Sequence, residues 1–143
     1  MMDRLWTGAI IFAWGWFAST VGVDHVTRLY DLHLRERPWI SAGIDVIPTD
    51  ATPLIRYDVR ALTPVDGRWR AWLEVDGARR CFGSGVGSYS PATPPNAIWA
   101  WGDWLGVDCA VPEAPFRACV SYAVRSQSGA FGDFGPFCSE TYT

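Results

Sequence analysis

Residues 5–23, LWTGAIIFAWGWFASTVGV, run for nineteen positions without a charged side chain. At about 1.5 Å per residue, such a helix spans roughly 28 Å, close to the hydrocarbon thickness of a bilayer. Asp3 and Arg4 bound the run on one side and Asp24 on the other, and Trp6 stands where an interfacial anchor belongs. A chain with such a segment must place it in lipid, lose it by cleavage, or bury it against other protein. The leading expectation is a membrane anchor spanning Leu5 to Val23. A cleaved signal peptide would have a very short head, bulky Trp14 and Trp16 in its apolar stretch, and Thr20-Val21-Gly22 at its cleavage site. A helix buried in a larger assembly is the third option. Gly15/Ser19 and Ala18/Gly22 set small residues four apart, a spacing that lets helices approach closely.

Residues 24–37, DHVTRLYDLHLRER, carry a helical period forward as a short amphipathic helix. Val26, Leu29, Tyr30, His33 and Leu34 share one face. Asp24/Arg28 and Asp31/Arg35 are four apart with the acid first, the better orientation for pairing. The helix is expected to stop before Pro38. It reads as a stalk lying along the membrane or against the β domain, because barely two heptads are too few for a coiled coil. His25 and His33, the only histidines, would be about 12 Å apart along the axis, too far to share one metal.

Two signals disagree on topology. Arg28, Arg35 and Arg37 lie on the C-terminal side of the span while only Arg4 precedes it, so the arginine count places the C-terminal domain in the cytoplasm. Four cysteines without a C-x-x-C point instead to disulfides and an oxidising compartment. A four-residue N-terminal tail is also the usual form of a signal anchor left inside. The reading favoured is an extracytoplasmic domain, periplasmic or at the surface.

Downstream of the helix, residues 38–52 read as a linker and 53–143 as a β domain, with 1–37 forming the anchor and stalk. Fourteen Gly and ten Pro favour turns over a helical bundle. Ile55, Tyr57, Val59 and Ala61 alternate with Leu54, Arg56, Asp58 and Arg60. After a turn at Thr63–Gly67, Trp69, Ala71, Leu73 and Val75 alternate with Arg70, Trp72 and Glu74. This predicts a β-hairpin with Ala61 opposite Trp69 and Ile55 opposite Val75. The same register sets Arg56 against Glu74 and Arg60 against Arg70. Residues 79–90, RRCFGSGVGSYS, read as a small-residue strand. Their glycines do not make a phosphate loop, because there is no G-K-[ST] and no helix supplies an N-terminus.

The segment YAVRSQSGAFGDFGPFCS (122–139) shows a Y-x-V-R run, a Gly-containing turn and then G-P-x-x-S. It resembles the last two strands of immunoglobulin-like and fibronectin type III-like domains. The resemblance covers the last quarter of the chain and implies an antiparallel β-sandwich. The Cys…Trp…Cys spacing of true immunoglobulin domains is absent, and no functional residue carries over. Cys81, Cys109, Cys119 and Cys138 allow three connectivities, of which Cys81–Cys109 with Cys119–Cys138 is preferred.

The formal charge of −3, all of it from residues 38–143, is a poor footprint for nucleic acid. With no histidine in the β region, a Ser-His-Asp or Cys-His site would need a stalk histidine to fold back. Asp103, Asp108 and Glu113 lie close enough in sequence for a carboxylate pair, and Asp103 with Asp108 for a sparse calcium site, but acids between strands are usually solvated turn residues. No catalytic residue, metal or cofactor is therefore assigned. The candidate contacts are aromatic and basic: Trp72 with Arg70 and Arg60 as a partner-binding patch, and Trp99, Trp101 and Trp104 in one short stretch. The expectation is a non-enzymatic, membrane-anchored protein that binds other proteins or serves as an accessory structural subunit of an envelope complex. One alternative is a structural part of a phage virion or appendage, with the N-terminal helix buried in self-assembly. Another is a small envelope hydrolase.

Overall fold

The computed structural model describes the backbone of residues 2–143 and the side chains of residues 9–143. Helix α1 (Met2–His33) is unbroken, so the charge-free run and the amphipathic run form one element. Within it, Ala9–His33 is long and apolar enough to cross a membrane. Ile11, Phe12, Trp14, Trp16 and Phe17 are each at least 60% exposed, so none packs on the rest of the chain. The expected anchor Trp6 lies outside the residues whose side chains are described.

Seven strands form two antiparallel sheets. Strands β1 (Ile40–Ile47), β2 (Leu54–Ala61) and β5 (Asn96–Ala100) make the first, in the order β1-β2-β5. Strands β3 (Val65–Val75), β4 (Ala78–Tyr89), β6 (Phe116–Ser126) and β7 (Phe131–Cys138) make the second, in the order β4-β3-β6-β7. A short helix, α2 (Trp101–Leu105), succeeds β5.

Two expectations are corrected by this architecture. The stretch 38–52, expected to be a linker, contains β1 and the fully buried Trp39. Ile40, Ala42, Ile44 and Val46 alternate along it and lie opposite Ala61, Val59, Tyr57 and Ile55. The second correction concerns pairing. β2 and β3 are strands with the expected inward sets, but they do not form a hairpin. Residues 62–64 carry the chain from one sheet to the other, and Val65–Gly67 already belong to β3. Arg56 therefore pairs with Asp45 at 2.7 Å, Glu74 with Arg117, and Arg60 with Asp58 at 3.1 Å. The physical reason is at the other end of β3. Asp76 and Gly77 both adopt positive φ, 51° and 75°, forming the two-residue turn that joins β3 to β4. With β6 on its other side, β3 has both edges occupied.

The inner faces share one core. Ile40, Ile44, Ile55 and Val59 from the first sheet join Ala71, Leu73, Val75, Phe116, Val120 and Val124 from the second. Trp39 meets Phe134 of β7 with ring centroids 5.3 Å apart. Gly83, Gly85 and Gly87 lie opposite Ala71, Trp69 and Gly67 and so face inward. A Cβ on Gly83 would sit 1.8 Å from the Trp104 carbonyl oxygen, and one on Gly85 would sit 2.7 Å from the Trp69 indole. The glycines of this strand are there because α2 and an indole ring lie directly on it. Cys81–Cys109 ties β4 to the segment after α2, and Cys119–Cys138 ties opposed residues of β6 and β7. These are the preferred pairs, and each contributes on the order of 3 kcal/mol.

The helix meets the β domain through a polar contact rather than its apolar face. Val26, Leu29, Tyr30 and Leu34 remain 43% exposed or more. Asp31, by contrast, is 2% exposed. Its carboxylate accepts hydrogen bonds from Ser126 Oγ at 2.8 Å, from Ser128 Oγ, and from Arg35 Nε at 2.6 Å. Leu32 packs against the core beside it. The expected Asp31/Arg35 pair forms, whereas Asp24 and Arg28 do not pair. Burial alone would raise the Asp31 pKa. The hydrogen bonds from Ser128, Arg35 and Ser126, with the Arg35 charge, outweigh it, and the carboxyl titrates below its ordinary value.

This packing makes two features testable. Gly83→Ala is expected to destabilise the full chain in detergent by about 2 kcal/mol or more. Gly43→Ala, whose added Cβ would meet nothing closer than 3.9 Å, should leave the thermal midpoint within about 2 °C of wild type. Thermal unfolding of both variants checks this. The Asp31 contact should be complete above the ordinary carboxylate range and lost only as pH falls through the lowered folded-state value. Asp31→Asn should remove about 2 kcal/mol of it at neutral pH. Hydrogen exchange across residues 126–130, monitored against pH, reads both effects.

Candidate functional site

The outward face of the β4-β3-β6-β7 sheet is built by strand alternation. On β3 it presents Asp66, Arg68, Arg70 and Trp72. Opposite them stand Ser88, Val86, Ser84 and Phe82 of β4, and Arg125, Ala123, Ser121 and Cys119 of β6. Val86 is 77% exposed and Phe82 68%, so the edge strand adds apolar tips to a row of guanidinium groups.

The expectation that Trp72 is an exposed contact residue is corrected: it is 4% exposed. Its strand does point it outward, but Arg79 and Cys119 stand against it. The Arg79 guanidinium lies 4.3 Å from its ring centroid. Cys119, bonded to Cys138, stands directly across on β6. Phe134 to Pro136 of β7 line the same cleft as the ring. The indole Nε1 is buried without a hydrogen-bond acceptor.

The other candidates divide clearly. Arg70 lies beside Trp72 on this face. Arg60 is on β2, in the other sheet, paired with Asp58. Trp99 points inward and meets Trp69 at 5.9 Å and Tyr57 at 6.4 Å. Trp101 is 3% exposed, donates from Nε1 to the Cys109 carbonyl at 2.8 Å, and meets Phe116 edge-on at 5.6 Å. Trp104 is also 3% exposed and covers Gly83. These three tryptophans are core, because β5 and α2 close the inner side of the molecule.

Between β3 and β7 the outward face sinks into a cleft of about 330 Å³. Arg68, Arg70, Trp72 and Arg79 form one wall, Ser121 to Ala123 the floor, and Asp133 to Pro136 the other wall. The pairing of β6 with β7 shifts register between Val120 and Tyr122, and Gly135 takes φ 103°, so β7 is irregular where the cleft lies. Among the described residues, Arg68, Arg70 and Arg79 have no carboxylate within ion-pair distance. Asp133 is the acid in the lining. Three guanidinium groups, a serine hydroxyl and one carboxylate leave the cleft positively charged and rich in donors. Such a lining holds anionic groups well. Arg68 and Arg79 are not among the contacts expected from sequence. The signals that could have found them are local: alternation puts Arg68 on the face of Arg70, and the Asp76-Gly77 turn folds Arg79 back beside Trp72.

The phenols near the core add no charge. Burial, helped by Tyr57, pushes the Tyr89 hydroxyl up to about 12. Burial, with Tyr89 and Tyr57 nearby, pushes Tyr122 under the cleft higher still. Asp103 lies on α2, and Asp108 and Glu113 lie in the segment after it. Among the described residues no three His, Cys, Asp or Glu side chains gather as a metal site would require, and all four cysteines are in disulfides. No known family, curated protein or solved structure matches the chain, so the character of this face is carried by its own geometry.

Proposed function

We propose that the chain is a non-enzymatic, membrane-anchored β-sandwich that recognises another protein of an envelope complex through the outward face of its four-stranded sheet. The observation that carries this reading is the row Arg68, Arg70 and Arg79, none of them in an ion pair among the described residues, beside exposed Phe82 and Val86. Arginine set among aromatic and apolar tips is the composition of binding hot spots. The exposed apolar helix supports an anchor, and the two disulfides support a domain on the oxidising side of the membrane. Strand order supports the immunoglobulin-like or fibronectin type III-like reading. The first, second and fifth strands form one sheet, while the third, sixth and seventh form the other with the fourth beside the third. This matches the A-B-E and C-F-G grouping of such domains, with an added strand next to C.

The test is extraction and then co-purification. The native protein should stay with membranes through alkaline carbonate and leave them in mild detergent, bringing its partner with it. The double variant Arg70→Glu, Phe82→Asp should keep its thermal midpoint and lose that partner. Release without detergent, or an unchanged set of partners for the double variant, would sink the reading.

A further inference from the structure

The cleft specifies more than a general affinity for protein. Arg68 and Arg70 are two residues apart on one strand and project to the same side, which sets their Cα atoms about 6.6 Å apart. Arg79 extends the row from β4, held over the Trp72 ring. A single small anion would engage one or two of these groups. An extended polypeptide presents alternate side chains on one side with the same repeat of about 6.6 Å. A segment with acidic residues at every second position therefore meets successive guanidinium groups in register. Each carboxylate can accept two parallel N–H bonds, which a guanidinium offers and an ammonium does not. The flank of such a segment would run along Phe82 and Val86 on the edge strand, both largely exposed, while its intervening side chains face solvent. The overall charge of −3 argues against a polyanion that would engage the whole surface.

We infer that the cleft over β3 binds an extended segment of a partner protein carrying Glu or Asp at alternate positions, with Arg68, Arg70 and Arg79 as its carboxylate receptors. This rests on the protein-recognition reading and narrows it to one chemistry. The buried Trp72 indole acts as a positioning group: Arg79 lies on it, so its ring sets where that guanidinium stands.

The test is calorimetric titration of the full chain in detergent micelles with a synthetic peptide, acetyl-Gly-Glu-Val-Glu-Val-Glu-Gly-amide. Three comparison probes are an isomer with its three Glu contiguous, the same peptide with Gln for Glu, and inorganic phosphate. The alternating peptide should bind, and should weaken as salt rises through the physiological range. Arg68→Gln and Arg70→Gln should each cost about tenfold in affinity. Arg60→Gln, on the other sheet, should leave affinity within about twofold, the effect of an exposed charge far from the site. The proposal is overturned if the alternating peptide does not bind, if the contiguous isomer, the Gln peptide or phosphate binds as tightly, or if Arg60→Gln weakens binding as much as Arg70→Gln. Any of these results, with a co-purifying partner still lost by Arg70→Glu, Phe82→Asp, would remove the acidic-segment chemistry and leave protein recognition standing. An unchanged set of partners for that double variant would remove the recognition reading itself.

Discussion

Much of the molecule depends on the burial of Trp39. It comes directly after the stalk, opens the first sheet, and is fully buried against Phe134 of the second. Truncating a tryptophan in such a position typically costs about 3–5 kcal/mol, a large share of what a domain this size has. Its carbonyl accepts from the Leu62 amide where the chain crosses between sheets, and its ring edge lies 3.3 Å from where a Cβ on Gly132 would be. One side chain thus couples the end of the helix, the crossover and the edge strand β7. The Arg37 guanidinium lies 5.4 Å from its ring centroid, so the same indole also reaches the stalk.

Local pattern makes several elements legible. The charge-free run, the inward sets of β2 and β3, the glycine-rich strand and the preferred disulfides are all readable from the residues. Partnership between strands is not. Period-two alternation says which side chains share a face, and it is silent about which strand lies alongside. Two inward sets can be buried by pairing edge to edge or by facing one another across a core. β2 and β3 take the second course, and the Asp76-Gly77 dipeptide is the local cue. Alternation also misleads at Trp72. It correctly turns the side chain outward, but outward is not exposed when an arginine and a disulfide lie beside it. The tryptophans of β5 and α2 have no period to place them, because five-residue elements are too short to show one. Ile40–Val46 does alternate, but it is hidden among Pro and Gly that suggest a linker.

The open face exists because of what β4 turns inward. Gly83 lets α2, Gly85 the Trp69 indole and Gly87 the Tyr89 ring press against the strand from inside. Phe82, Ser84 and Val86, which alternate with them, point outward. An edge strand of this length, carrying apolar tips, is normally an association hazard. Here it lies beside the basic row of β3, and that neighbouring charge disfavours stacking of one copy's face on another's.

The Asp31 contact fixes where along the helix the domain is met. From Val23 to Asp31 the helix rises about 12 Å, which sets the distance of the domain from the charge-free run. The domain is also locked in azimuth, because the carboxylate engages one particular turn, Ser126 to Ser128. Position along the helix thereby becomes compass bearing. Each residue gained or lost between Val23 and Asp31 would swing the whole domain by about 100° around the helix axis relative to the charge-free run. Length in that short segment is then a steering parameter: it decides which face of the charge-free run lies below the arginine row.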